Sequence, residues 1–323
     1  MTDMKKKILG IPLYWIYIVL LVAMIMIIVG SFSDLSISNA LASESNWLGC
    51  LVETWGEIFA YATIPVGGVM LFKGLWTYGK RWQKILGPVF LVLSVLIGGY
   101  LFGDSLKIKA PDDPTLAVRS YGYGLSENKW LCVAIGLVLF VLIAVGVYFL
   151  LKKDDPAALV KAGTLMLTVV LLQWLILLLL KYVGGRPRYR FLYYGDTAGV
   201  FEGSKYVYSE WWKFAFFSNP AKDCFYSWPS GHTATAAVTL CLTAASSCFR
   251  FDGKYCKLAL FLSALAYTLI VALARILAGA HYLSDTGFGL LITSLLILGF
   301  CFLYQKVFSP LDKQDNETSS LTD

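Results

Sequence analysis

What most limits this chain is a series of apolar runs, each about as long as the hydrocarbon core of a bilayer is thick. A helix needs roughly 17–25 mainly apolar residues to cross that core. Eight stretches qualify: Ile11–Gly30, Ile58–Leu75, Ile85–Phe102, Leu131–Leu151, Gly163–Leu180, Thr233–Cys248, Leu258–Leu277 and Phe288–Tyr304. The second and sixth are the weakest, one broken by Pro65-Val66-Gly67-Gly68 and the other by several Thr and Ser. Because backbone polar groups in lipid must be satisfied within the segment, the runs predict helices. The expected fold is therefore all-α, a polytopic membrane bundle of about eight transmembrane helices.

Composition excludes the soluble alternatives. Of the 323 residues 58% are hydrophobic and 15% charged, too few charges to cover a water-exposed surface of that size. The formal net charge of +6 reads as loop Lys and Arg facing anionic head groups. No nucleic-acid partner is expected, since little of the chain would be exposed to form a basic face. Seven cysteines show no CxxC and read mostly as small core residues. Cys50 and Cys224 fall in segments assigned to the outside, which leaves a disulfide between them open. Met1–Lys7 followed by an apolar run has the layout of a signal peptide, but the run is long for an h-region and reads as a retained anchor.

Lys and Arg set the orientation. Lys5, Lys6 and Lys7 precede the first span, and no Lys or Arg occurs from Ser31 to Phe72. Further basic groups follow at Lys73–Lys84, at Lys152, Lys153 and Lys161, and at Arg250, Lys254 and Lys257. The alternation predicts a multi-pass protein of the cell membrane with both termini cytoplasmic. The connection from Lys181 to Trp228 is nominally outside yet rich in Arg and Lys, so its charges are expected to have a second task. Asn316-Glu317-Thr318 is a glycosylation sequon, but it lies in the expected cytoplasmic tail.

Three clusters carry chemistry, all at outer ends of spans. The first is Lys181-Tyr-Val-Gly-Gly-Arg186-Pro187-Arg188-Tyr189-Arg190. Arg forks bind phosphate oxygens bidentately and Lys adds a point charge; an interfacial basic and aromatic anchor is the competing reading. The second is Ser227-Trp228-Pro229-Ser230-Gly231-His232, where Ser230 is a candidate N-cap and Gly231 lets an anion approach free N–H groups. The third runs Ala274-Arg275 to Gly279-Ala280-His281-Tyr282-Leu283-Ser284-Asp285. His281 and Asp285, four apart, share a face on an unbroken helix, so the carboxylate is expected to fix the tautomer and free the other ring nitrogen to attack. Gly279 is where the chain is expected to break so that Arg275 can join them; a buried Arg–Asp pair bracing the hairpin is the plainer reading. The chain has only two histidines, and both sit in these clusters.

In this order the clusters resemble the motifs of the type 2 phosphatidic acid phosphatase superfamily, which also holds the vanadium haloperoxidases. The pattern K-x6-R-P, P-S-G-H, S-R-x5-H-x3-D appears here as Lys181 to Arg188, Pro229 to His232, and Arg275 to Asp285 through His281. Tyr189 stands where the family usually has Pro, and Ala274 where it usually has Ser. Arg186-Pro187 is a literal Arg-Pro at the wrong spacing, so Arg188 is taken as the phosphate ligand with Arg186 in reserve.

The resemblance implies a six-helix catalytic core over residues 81–306, preceded by a helix pair in 1–80 and followed by a polar cytoplasmic tail over 307–323. It implies His281 as nucleophile, Asp285 holding it, and His232 as acid and then base. Lys181, Arg188, Arg275, Ser230 and the Gly231 N–H would bind the phosphate, with no metal and no cofactor. The expected substrate is a lipid phosphate monoester or polyprenyl diphosphate, handled among membrane lipids on the non-cytoplasmic face. A soluble ester such as a sugar phosphate, a lipid phosphotransferase and an anion transporter are the other readings. Tyr189–Trp228, dense in Phe, Tyr and Trp, is expected to lie in the head-group layer, and Gln173 to bond between helices.

Overall fold

In the computed structural model, residues 7–8, 11–43, 46–108, 124–152, 155–193, 207–216, 223–250 and 253–319 are described. A two-residue ladder, β1 (Lys7–Ile8) with β2 (Ile11–Pro12), leads into α1 (Leu13–Leu41). Then follow α2 (Trp47–Trp55), α3 (Ile58–Tyr78), α4 (Arg81–Ser105), α5 (Lys129–Leu150), α6 (Pro156–Gly184) and α7 (Tyr189–Tyr193). The last third holds α8 (Gly231–Ala237), α9 (Leu242–Ala245), α10 (Lys254–Leu277) and α11 (Leu283–Ser319).

Starts of helices follow local chemistry. Asn46, Asn128 and Asp155 accept from backbone N–H groups at the first turns of α2, α5 and α6, and Pro156 occupies the first turn of α6, where a missing N–H costs nothing. Seven helical stretches are long and apolar enough to cross a membrane. On α6 the outward row Leu171, Leu175, Leu178 and Leu179 is exposed, as expected of a surface solvated by lipid tails.

The sixth apolar run does not form a spanning helix. Residues 231–248 alternate between α8, a 3-10 turn (Val238–Cys241), α9 and a second 3-10 turn (Ser246–Cys248). The Thr239 hydroxyl donates to the Ala236 carbonyl three residues back at 2.7 Å, the kind of local bond that competes with a regular α ladder. Small residues throughout (Ala234, Ala236, Ala237, Cys241 and Ala245, all fully buried) make this run the packed centre of the bundle. α6, α10 and α11 surround it, and Gln173 of α6 donates to the Thr235 hydroxyl at 3.4 Å.

α1 lies along α11, α3 packs on α4, α5 and α6, and α2 lies on α10. Pro65 and Pro88 sit inside α3 and α4, tolerated where neighbouring helices re-satisfy freed backbone groups. Cys50 and Cys224 carry thiols, so the disulfide left open by their placement is not formed. The helix containing the eighth run continues to Ser319, beyond the end of the apolar run at Tyr304.

Packing in lipid relies on close backbone approach between small residues. Between α4 and α5, a side chain at Gly136 would come within 2.3 Å of the Gly99 carbonyl oxygen, whereas nothing lies within 4 Å of one at Gly146 on the same helix. Gly136→Val should cost about 1–3 kcal/mol through overpacking and lower the unfolding temperature in detergent. Gly146→Ala should leave it unchanged or raise it.

Candidate active site

Three chain turns deliver the site. α6 ends at Gly185, whose φ of 56° and N–H bond to the Lys181 carbonyl (3.1 Å) turn the chain toward Arg186 and Arg188. Just past the end of α10 the chain turns at Gly279, φ 63°, and Ala280 and His281 both donate back to the Arg275 carbonyl at 3.0 and 3.2 Å. Only glycine takes that backbone region cheaply. A side chain at Gly279 would also press on Arg190, whose N–H donates to the Gly279 carbonyl at 2.8 Å. The break expected at Gly279 is thus present and returns His281 beside Arg275. The third turn is Ser227–Ser230, leading into α8 with Ser230 as N-cap.

His281 is fully buried. Its Nδ1 lies 2.5 Å from the Ser227 carbonyl oxygen. A carbonyl only accepts, so Nδ1 carries the proton and Nε2 holds the lone pair. Among the described residues Nε2 has no hydrogen-bond partner. The His232 ring centroid is 6.3 Å away.

Asp285 does not touch the imidazole. It accepts from Arg186 Nη1 at 2.6 Å, from the Ser227 hydroxyl at 2.5 Å and from the Tyr282 N–H at 2.9 Å. The expected His281–Asp285 contact assumed one unbroken helix, but α11 begins at Leu283, so the two residues do not share its face. Asp285 instead holds Ser227, and the Ser227 carbonyl holds His281.

Arg186, the reserve ligand, is committed elsewhere. Its guanidinium is 2% exposed and lies between two carboxylates, Asp285 at 2.6 Å and Asp34 of α1 at 3.0 Å. Asp34 also accepts from the Ser284 N–H at 2.9 Å and from the Ser284 hydroxyl. Arg188 is the one turned to the site: it donates to Asp223 at 2.7 Å and lies 3.4 Å from the Ala280 carbonyl beside His281. Lys181 reaches across so that a side chain added at Gly231 would meet its ammonium at 3.3 Å. Arg275 is fully buried, and its Nε and Nη1 make no hydrogen bond among the described residues.

Neither histidine belongs to a helix long enough to span the bilayer. Burial holds His281 well below the ordinary imidazole range, and Arg188, Arg275, Lys181 and His232 push it the same way. His232 is lowered first by burial, then by Arg275, with Glu53 opposing.

Sequence reading missed the acidic frame: Asp34, Glu53, Glu57 and Asp223. Glu53 of α2 pairs with Arg190 at 3.0 Å and lies 3.6 Å from Arg275. Asp34 had a readable signal, as a lone carboxylate directly continuing an apolar run. Arg186→Leu would strand Asp34 and Asp285 as facing buried carboxylates and should cost about 3–5 kcal/mol of stability by thermal unfolding in detergent. Arg188→Leu should cost less, because its partner Asp223 is 43% exposed.

With that geometry in hand, comparison with known families is direct. The model described as PAP2 superfamily matches residues 161–309, which span from α6 into α11 and hold Lys181, Arg188, Ser230, His232, Arg275, His281 and Asp285. No curated protein and no solved structure matches the chain. The likeness over residues 161–309 supports the type 2 phosphatidic acid phosphatase superfamily, and with it phosphatase chemistry carried by a multi-pass membrane bundle.

Proposed function

We propose that the protein hydrolyses a phosphate ester borne by a lipid, either a phosphate monoester or a polyprenyl diphosphate, through a phosphohistidine at His281. The observation that carries this reading is His281 itself: a buried imidazole with Nδ1 held by a carbonyl and Nε2 unpartnered, beside unbonded nitrogens of Arg275. A nucleophile oriented by a second group and facing cationic donors is the arrangement covalent phosphoryl transfer needs.

In the first step Nε2 bonds to phosphorus as the bond to the leaving oxygen breaks, and His232 gives that oxygen a proton. In the second, His232 takes a proton from water, the hydroxide bonds to phosphorus and the P–N bond breaks. Phosphate leaves and both histidines return to their starting states. Lys181, Arg188 and Arg275 stabilise the equatorial oxygens, with Ser230 and the Gly231 N–H completing the cradle. The cationic set takes the charge-neutralising part a metal has elsewhere.

A lipid-borne substrate is supported by the site's setting among seven apolar helices. It is supported too by the aromatic cluster at its rim, where Trp211 packs on Phe288 at 4.6 Å and Phe214 on Trp228 at 5.4 Å. Much of the aromatic Tyr189–Trp228 segment lies outside the described residues. The distribution of Lys and Arg supports cytoplasmic termini and a site facing the other side of a cell membrane.

Purified protein in detergent with EDTA should release phosphate from at least one of phosphatidic acid, phosphatidylglycerol phosphate and undecaprenyl diphosphate, and less from glucose 6-phosphate. His281→Ala should reduce release by at least about a thousandfold. In His232→Ala, given 32P-labelled 4-nitrophenyl phosphate, whose leaving group needs no proton, an acid-labile, base-stable label on His281 should accumulate. Release by neither protein from any substrate would turn the reading toward transport.

The pH profile has a definite sign. Protonating Nε2 removes the attacking lone pair, and the site holds His281 below the ordinary imidazole range. The acid limb of kcat/KM for an aryl phosphate should therefore lie below about pH 6.5, the free-imidazole value. A limb at or above that value would contradict the buried, cation-flanked nucleophile.

A further inference from the structure

We propose that Glu57, at the turn between α2 and α3, is a positioning residue for His232, its carboxylate facing the imidazole that serves as proton donor. The proposal rests on the reading of His232 as the acid of the phosphatase reaction. Glu57 lies outside the matched segment, on the part of the chain that sequence reading treated as an addition to the core.

The geometry is specific. Glu57 is 8% exposed, and its Oε2 lies 3.8 Å from His232 Nε2. The same oxygen accepts from the Tyr61 hydroxyl, one turn further along α3, at 2.8 Å. Glu57 stands at the N-cap of α3 yet makes no side-chain capping bond, so its carboxylate is not committed to the backbone of the helix start. The turn is anchored independently: the Tyr267 hydroxyl of α10 donates to the Gly56 carbonyl, and Ser105 of α4 donates to the Thr54 carbonyl at 3.1 Å. A carboxylate in such surroundings is costly to bury unless a partner compensates it.

His232 needs that partner. The groups facing it are mostly cationic: Arg275 from α10, Lys181 at the end of α6 and Arg188 just after it, with His281 across the site. All oppose an imidazolium, and burial adds to them. On the other side stand Glu53 of α2 and Glu57 with Tyr61 of α3. A proton donor in a cationic pocket must be given a reason to be charged, and a carboxylate at ion-pair distance supplies it. When the leaving oxygen takes the proton, His232 becomes neutral, and it recovers the proton from the attacking water. Glu57 exchanges nothing and remains a carboxylate throughout.

Leaving groups separate this role from a merely structural one. Departure of an alkoxide from phosphatidic acid needs the proton, whereas 4-nitrophenolate departs without it. Glu57→Gln should lower kcat/KM on phosphatidic acid at least about tenfold more than on 4-nitrophenyl phosphate, a proton-transfer contribution of modest size. Glu57→Asp should recover part of the loss, and Tyr61→Phe should show the same bias more weakly if Glu57→Gln folds poorly. A second readout needs no activity. Because the chain has two histidines, His281→Ala purified with a histidine-free tag leaves His232 as the one imidazole for an NMR titration. Adding Glu57→Gln should lower its midpoint.

Equal losses on both esters, or an unmoved midpoint, would overturn the proposal. His232→Ala serves as the reference. If it shows the leaving-group bias and Glu57→Gln does not, Glu57 alone is misassigned. If His232→Ala shows no bias, the acid role of His232 fails and the Glu57 proposal falls with it.

Discussion

Arg186 sits between Asp34 and Asp285, all three almost completely buried, and much of the site's geometry is referred to that triad. One charge between two opposite charges in a low-dielectric interior is favourable only if every partner is present, since each ion has given up water. The arrangement ties three distant parts of the chain together: Asp34 from α1, Arg186 from the turn after α6, and Asp285 from the first turn of α11. From Asp285 the order passes to the Ser227 hydroxyl, and from the Ser227 carbonyl to His281. His281 is thus positioned by a network whose far end is the first helix of the bundle.

Around that anchor the site divides its charges by function. Two residues apart, Arg186 lies between two buried carboxylates, whereas Arg188 pairs with the part-exposed Asp223 and reaches the Ala280 carbonyl beside His281. Arg188 and Arg275 lie nearer the histidines, with Asp223 and Glu53 as counter-charges that spare them from facing only like charge. A buried cationic pocket of this kind is costly unless such carboxylates compensate it. The broken run 231–248 fits the same logic. Packed among α6, α10 and α11 it need not face lipid, and its irregular turns bring Ser230 and His232 to the pocket without a long rigid helix.

Most of the bundle was legible in the chain because membrane spanning imposes a length and a composition that survive as apolar runs. The run at 233–248 looked like a span for the same reason that hydropathy cannot tell a lipid-facing helix from a protein-packed one; its many Thr, Ser and Ala were the local sign of burial against protein. That Lys181, Arg188, His232, Arg275 and His281 gather in one place was legible because their three clusters all sit at one end of the predicted spans. The partner of His281 was not. Spacing of four suggests a shared helical face, but whether the intervening residues are helical depends on where α11 begins, and a backbone carbonyl such as that of Ser227 has no signature in sequence.

By itself, then, the sequence settled that the chain forms several apolar helices of membrane-spanning length and that its Lys, Arg and His gather in three polar clusters, since both follow from residue type and local spacing. Which arginine lies between Asp34 and Asp285 and which reaches the Ala280 carbonyl was decided only by tertiary structure, as were the entry of Asp34, Glu53 and Glu57 from the first helices and the hold of Ser227 on His281. The physical reason is the same in each case. Buried charges and hydrogen-bonding groups are settled by whichever partner lies within about 3 Å, and that partner can be any residue the fold brings near, however far away it lies along the chain.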